Sequence, residues 1–338
     1  MKPRFIPVPP HVDADALFAS AERLEARLHD RLPEISAALA QLPGPSPRYW
    51  SDWFAAKMPN VLSYLQVYAY IIGQALPDGP LSDVRLLDYG GGWGLMGLLA
   101  CEVGVGSVTY LDINKGTTRA VQVIADTIDL PLDRYICGDE TSLAGSFNAV
   151  VSSDVLEHVY DPERVFRCIA AVCEPGAKVF HQTGANPLSL HQRLTLSRLH
   201  RAEEPKLRAE RRQIIAEARI SGPDADRLAD ATRGLNRADL HRAITTYKLA
   251  SAFPTPDHPT NTCELSGYWY ERLMNPRAVA AKMAAAGFEA DVARCFWGPG
   301  RSSRPARAIK HILNLVSRLS RRLGLRATLY YGIAGVKS

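Results

Sequence analysis

The sequence predicts an α/β fold: a parallel sheet wound with helices on both faces, preceded by a helical extension and interrupted by a helical insertion. Three observations carry this expectation. From Val84 onward, short apolar runs alternate with helical segments; the runs are VRLLDYG, SVTYLDI, RYICGD, FNAVVSSD and AKVFHQTG. Such alternation is the pattern of parallel strands joined by crossover helices. A glycine-rich turn, Asp88-Tyr89-Gly90-Gly91-Gly92-Trp93-Gly94, joins the first run to the helical LMGLLACEV. Between about Asn186 and Cys263 the alternation stops and the chain becomes polar and helical.

Taken in order, residues 1–80 read as a helical extension. It contains ADALFASAERLEARL, a breaker-rich QLPGPSPR linker and an aromatic stretch with Trp50, Trp53, Tyr64, Tyr68 and Tyr70. Residues 81–185 read as the nucleotide-binding core and 186–262 as the insertion, a lid over the acceptor. Residues 263–338 complete the core. Two helix starts are well marked, because Asp161-Pro162-Glu163 and Asn275-Pro276 each place a cap residue before a proline. Beta character resumes in GFEADVARCFW and closes in TLYYGIAGV.

Composition bounds the class. With 46% apolar and 22% charged residues among 338, a packed core is expected. The cysteines Cys101, Cys137, Cys168, Cys173, Cys263 and Cys295 form no CxxC pair, which argues against a zinc ribbon and suits a reducing compartment. The N-terminal stretch lacks a signal-peptide apolar run, and no stretch is long and apolar enough to span a bilayer. A cytoplasmic location, with peripheral membrane contact open, is the expectation. The net charge of +5 is uneven: residues 301–338 hold nine Lys or Arg and no acid.

The glycine loop is the sharpest motif. Glycine is required where backbone approaches a ligand closely while turning into a helix N-terminus. Alone, the loop is ambiguous. Gly92, Gly94 and Gly97 also satisfy G-x-G-x-x-G, and Asp112 lies 20 residues beyond Gly92, as a dinucleotide site requires. A carboxylate at the end of the second strand suits either ligand, since it accepts two hydrogen bonds from a ribose diol.

The wider series separates the two. LLDYGGGWG, YLDIN, CGDE, FNAVVSSDVLEHVYDPE, VCEPGAKVF and AAAGFEADVA follow one another in order over about 84–184 and 276–296. In this the chain resembles the class I S-adenosylmethionine-dependent methyltransferases, particularly the ubiquinone-biosynthesis-type O-methyltransferases. The resemblance implies a Rossmann-like sheet of seven strands and S-adenosylmethionine as cofactor. It also implies a cofactor set of Asp88, Gly90, Gly91, Gly92, Asp112, Ile113, Asp139, Glu140 and Ser153, in which Asp112 binds the ribose and Asp139 contacts the adenine. Asn148, Cys173 and Ala177 depart from the family pattern.

Methyl transfer from a sulfonium is an in-line displacement, so the protein must align donor and acceptor and remove a proton when the acceptor is a hydroxyl. His158, after the fourth strand, and His181, at the end of the fifth, are the candidate general bases. Each also has a plain alternative: His158 packs or caps, and His181 fixes the strand end. Asp154, Glu157 and His158 resemble the carboxylate–histidine set of metal-assisted O-methyltransferases. With His181 they offer a less favoured site for Mg²⁺ or Mn²⁺. In the insertion fall His191, His200, His241 and His258, most of which are expected at the surface. The YWY at 268–270 and the aromatics at 50–70 line an acceptor pocket or serve as packing.

The acceptor is expected to be a small or lipid-linked hydroxyl compound: a sugar, a quinone or a secondary metabolite. RNA methylation and an inactive cofactor-binding partner subunit are the alternatives, and nucleic acid is disfavoured by the lack of an RNA-binding module. In the tail, Ile309, Ile312, Leu313, Val316, Leu319 and Leu323 fall at helical spacing among Arg307, Lys310, Arg318, Arg321 and Arg322. Packing on the domain and contact with anionic membrane through 301–324 are its two readings.

Overall fold

The computed structural model describes residues 8–44, 46, 48–255, 261–295, 297–298, 300 and 302–338. His258, Arg301, Phe296 and the first seven residues, which figure in the sequence readings, lie outside that set. The chain divides into two compact units. The first comprises residues 1–153, 163–182 and 276–338; the second comprises 154–162 and 183–275.

The first unit is organised around a seven-stranded sheet of order β3-β2-β1-β4-β5-β7-β6. Its strands are β1 (Arg85–Tyr89), β2 (Ser107–Asp112), β3 (Arg134–Cys137), β4 (Phe147–Ser153), β5 (Cys173–Thr183), β6 (Phe288–Ala293) and β7 (Tyr331–Lys337). The pairs among β1 to β5 are parallel, and β6 runs antiparallel to β7. From β1 the chain winds outward to β2 and β3, then returns to β4 and β5 on the other side. Right-handed crossovers place the linking helices on opposite faces, and ligands bind where the winding reverses, at the carboxyl ends of β1 and β4. Residues 86–89 of β1 are all buried, as expected for a strand covered on both sides.

The helical extension is not a separate layer. Helices α1 (Ala14–Asp30), α2 (Leu32–Leu39), α3 (Tyr49–Lys57) and α4 (Val61–Ala75) bury Leu24, Leu28, Phe54, Leu65 and Ile72. These join one apolar cluster with Leu86, Leu98, Val121 and Ile124 of the sheet and of helices α5 (Leu95–Val103) and α6 (Lys115–Thr127). The residues expected to precede the core are thus part of it. The two proline-marked starts are in place, since α7 spans Pro162–Val172.

The second unit has its own core. Helices α8 (Leu190–Glu217), α9 (Gly222–Ala231) and α10 (Arg237–Ala250) pack through Ile214, Ile215, Leu228, Leu240 and Ile244. The buried Arg211 pairs with Glu204 and donates to the Ala229 carbonyl at 3.1 Å. The unit runs to Asn275, beyond the expected boundary at 262, because Cys263 bridges to Trp269 and Asn261 binds the Leu273 backbone in both directions. The core chain resumes with α11 (Pro276–Ala285). Of the insertion's histidines, His191 and His241 are exposed, while His200 is fully buried, with Nε2 bonded to the Tyr270 carbonyl.

The glycine turn tests how tightly this packing constrains sequence. Gly94 has φ +68°, and an added Cβ would sit 2.3 Å from Val121 Cγ1. Gly104 is also left-handed, at φ +94°, yet a Cβ there would meet nothing within 4 Å. Strain plus overpacking predicts that Gly94→Ala destabilises the fold by about 2–5 kcal/mol, against about 1–2 kcal/mol for Gly104→Ala. Urea denaturation of both variants checks the difference.

Candidate functional site

The candidate residues fall in two clusters, one in each unit. In the first unit the loop after β1 is shaped by two acids. Asp88 ends fully buried, and its Oδ2 accepts from the Gly97 amide at 2.9 Å, fixing the start of α5. Asp112, at the carboxyl end of β2, accepts from the Gly92 amide at 3.0 Å and from the Asn114 amide at 2.8 Å. The Gly90 and Gly91 amides both donate to the Leu111 carbonyl.

This geometry fits S-adenosylmethionine. Gly90 and Gly92 hold φ +67° and +51°, and a Cβ on Gly92 would project into open space, its nearest neighbour 4.0 Å away. The Asp112 carboxylate is only partly buried and keeps lone pairs beyond the two amide bonds, enough for a vicinal diol. Ile113, beside it, is 77% exposed, an apolar surface at the sheet edge suited to an adenine face.

The other expected cofactor residues divide by what already engages them. Asp139 Oδ1 accepts from the Thr141 amide at 2.9 Å and from its hydroxyl, which with Arg164 holds the carboxyl below its usual range. Glu140 pairs with the Arg164 guanidinium at 3.0 Å. Ser153 closes β4, in register with Gln182. Asp88 requires correction, because a side chain with no exposure cannot touch a ligand. It acts on the loop backbone instead. Burial, opposed by the Gly97 bond, raises its pKa to about 7.

His181 also departs from expectation. It is buried, with Nδ1 bonded to the Ser152 hydroxyl at 2.5 Å and Phe166 against its ring. Nε2 has no partner among the described residues. Desolvation lowers its pKa to about 3, so it stays neutral in the physiological range and is too weak and too enclosed to serve as the expected base. It belongs to the sheet core and, among the described residues, to no group that could hold a metal ion.

The second cluster lies in the other unit and centres on His158. Nδ1 sits 2.8 Å from the Trp269 carbonyl, which can only accept, so in the neutral ring the proton resides on Nδ1. Nε2 is then an acceptor, 3.8 Å from Glu271 Oε1. Tyr268 stacks on the imidazole, with centroids 4.7 Å apart and planes 6° from parallel. The fully buried Glu157 completes the group, neither of its carboxylate oxygens having a hydrogen-bond partner among the described residues. Its pKa is pushed well up by burial first and by Asp154 next; burial likewise raises that of Glu271. One ligand atom from each of Glu157, His158 and Glu271 lies within 4.8 Å of the others.

Of the expected metal set, Glu157 and His158 come together and His181 does not. Asp154 binds the Gly184 amide at 2.8 Å from a left-handed backbone, φ +55°. Glu271 was not foreseen. It too is left-handed, φ +48°, in an aromatic segment far along the chain, and nothing local marks it as a partner of His158. Trp93 was likewise missed: this residue of the glycine turn is packed by Trp50, Trp53 and Phe54 of α3.

The doubly wound sheet and its acid-anchored glycine turn define a class, the S-adenosylmethionine-dependent methyltransferases. The chain belongs to the methyltransferase-domain family, whose model matches residues 21–220. It is similar to the ubiquinone biosynthesis O-methyltransferase of Chromobacterium violaceum, with 34% identity over 129 residues, 37% of this chain and 50% of that protein. It is similar also to the human mitochondrial ubiquinone biosynthesis O-methyltransferase, with 32% identity over 114 residues, 32% of this chain and 30% of that protein. The chain thus spans half or less of the length of these two relatives. Among solved structures it resembles an S-adenosylmethionine dependent methyltransferase from Mesorhizobium loti, at TM-score 0.42 and 15% identity, over 78% of this chain and 94% of that one.

Two outcomes test the cofactor site. Asp112→Ala should weaken S-adenosylhomocysteine binding by about 1.5–3 kcal/mol, the scale of a lost bond to a charged group, with no gain of NAD binding by calorimetry. For Asp88, the raised native pKa means that stabilisation from the protonated acid is complete below about pH 4 and is lost as pH rises through about 7. Asp88→Asn keeps an acceptor for Gly97 and cannot ionise. Its thermal midpoint should therefore lack the fall that the unsubstituted protein shows between pH 5 and 8.

Proposed function

We propose that the protein transfers the methyl group of S-adenosylmethionine to a hydroxyl oxygen of a small or lipid-linked acceptor, with His158 as the general base. The observation that carries this reading is the fixed tautomer of His158: Nδ1 is committed to the Trp269 carbonyl, which leaves the Nε2 lone pair to take a proton. Glu271, 3.8 Å away, stabilises the imidazolium that then forms. His158 lies five residues beyond Ser153, the carboxyl end of β4, where this sheet type binds its ligands. Oxygen as the acceptor atom is supported by the similarity to the ubiquinone-type O-methyltransferases. Within the proposal the glycine loop, Asp112 and Ile113 hold the cofactor.

A second reading has a specific observation behind it. Glu157, His158 Nε2 and Glu271 present two carboxylates and one imidazole at ligating separation, and the buried Glu157 oxygens have no other partner among the described residues. Such a set would hold Mg²⁺ or Mn²⁺, which lowers the pKa of a coordinated hydroxyl. The Nδ1 bond to a backbone carbonyl is the usual support of a metal-ligating histidine.

One set of variants separates the readings, using a panel of catechol, quinol and sugar acceptors. His158→Ala should lower turnover about 10²–10⁴-fold while S-adenosylhomocysteine affinity stays unchanged. If His158 is a metal-free base, chelator leaves the rate intact. If a cation is required, chelator silences the enzyme and Glu157→Gln fails as badly as the histidine variant. Normal turnover in His158→Ala would overturn both.

A further inference from the structure

The helix α12 (Arg304–Leu319) is turned inside out relative to an ordinary surface helix. Its inward residues are polar. Asn314 accepts from the Trp297 amide at 2.8 Å and donates to the Trp297 carbonyl at 3.1 Å. Ser317 donates to the Cys295 carbonyl at 3.5 Å, and Lys310 to the Gly298 carbonyl at 2.9 Å and the Ser302 hydroxyl at 3.0 Å. The short helix α13 (Arg321–Ala327) packs so closely that a Cβ on Gly324 would lie 2.6 Å from Ser317 Cα. The docking of α12 therefore consumes polar groups; Leu313 and Val316 are only partly covered, and Ile309, Ile312, Leu315 and Leu319 are left outside.

Those residues form a stripe. Ile309, Ile312, Leu315 and Leu319 are exposed, Leu319 to 77%, and Leu323 of α13 continues the line. The usual surface helix buries such a stripe and shows its polar face to water. Along one flank Arg304, Arg307 and Arg318 recur at helical spacing, all exposed. No Asp or Glu occurs after Asp291.

We propose that α12 lies in the interface plane of an anionic lipid bilayer, with Ile309, Ile312, Leu315 and Leu319 inserted and the arginine flank at the headgroup phosphates. The charge pattern selects this occupant over a second copy of the chain. Two such faces brought together would oppose arginines with no carboxylate in the segment to neutralise them, whereas a phosphate surface neutralises them all. No helix among the described residues is long and apolar enough to cross a membrane, so the contact is one of lying on the surface. This inference deepens the lipid-linked side of the acceptor reading: a chain held at the bilayer meets an acceptor that partitions there.

The test is co-sedimentation of the full chain with vesicles of equal phosphatidylglycerol and phosphatidylcholine, and with phosphatidylcholine alone. The protein should pellet with the anionic vesicles, bind the neutral ones at least tenfold more weakly, and be released by 0.5 M salt. The double variant Ile312→Glu, Leu319→Glu changes only exposed side chains and should lose at least tenfold in vesicle affinity. It should keep S-adenosylhomocysteine binding and turnover on a water-soluble acceptor, which separates failure of this inference from failure of the methyl-transfer reading. Three results would overturn the proposal: indifference of the unsubstituted protein to anionic vesicles, equal binding by the double variant, or a dimer in solution that the double variant dissolves.

Discussion

The structure depends on one tie between distant backbone segments: the Asp112 carboxylate at the end of β2 accepting the Gly92 amide in the loop after β1. A loop of consecutive glycines has little conformational preference of its own, and left-handed values at Gly90, Gly92 and Gly94 are imposed on it by what surrounds it. Asp112 holds the loop's middle, Asp88 holds the first turn of α5 through Gly97, and the Leu111 carbonyl takes the amides of Gly90 and Gly91. Each acceptor comes from a strand end, so the rigidity of the sheet passes directly to the glycine turn. The desolvation that raises the Asp88 pKa is a consequence of placing an acid where it can reach Gly97 and water cannot reach it.

The same economy is seen in the two histidines, which the sheet treats in opposite ways. His181 sits within β5, paired across to Ser152 of β4, and the sheet interior removes it from proton chemistry. His158 sits just past β4 in irregular chain, where a backbone carbonyl fixes its tautomer and a half-exposed carboxylate faces its other nitrogen. A side chain on a strand is positioned by the sheet and inherits its dryness. One in a loop after the strand is positioned by hydrogen bonds and keeps its chemistry.

The inverted helix α12 follows another rule. Its polar side docks to the irregular segment around Trp297 by directional bonds that need no apolar burial. That leaves the apolar stripe of Ile309, Ile312, Leu315 and Leu319 outside.

The sequence by itself determined the sheet, the two proline-marked helix starts and the glycine turn after β1, because these depend on local signals: apolar runs of strand length, a cap before a proline, glycines where φ must be positive. It also determined that the tail is basic and amphipathic, which is a matter of counting and spacing. What only the tertiary structure decided is which side chains meet. Glu271 reaches His158 because the segment 261–275 folds back to pair its backbone with residues 157 and 158, and no periodicity encodes that return. Asp88 and His181 look like ligands in the sequence because acids and histidines at strand ends often are. Burial, a property of the whole packed chain, reassigned both to holding the fold. The direction in which α12 faces was likewise undecided by its pattern, since an amphipathic helix presents the same sequence whichever face it turns inward; the bonds of Asn314 and Ser317 settled it.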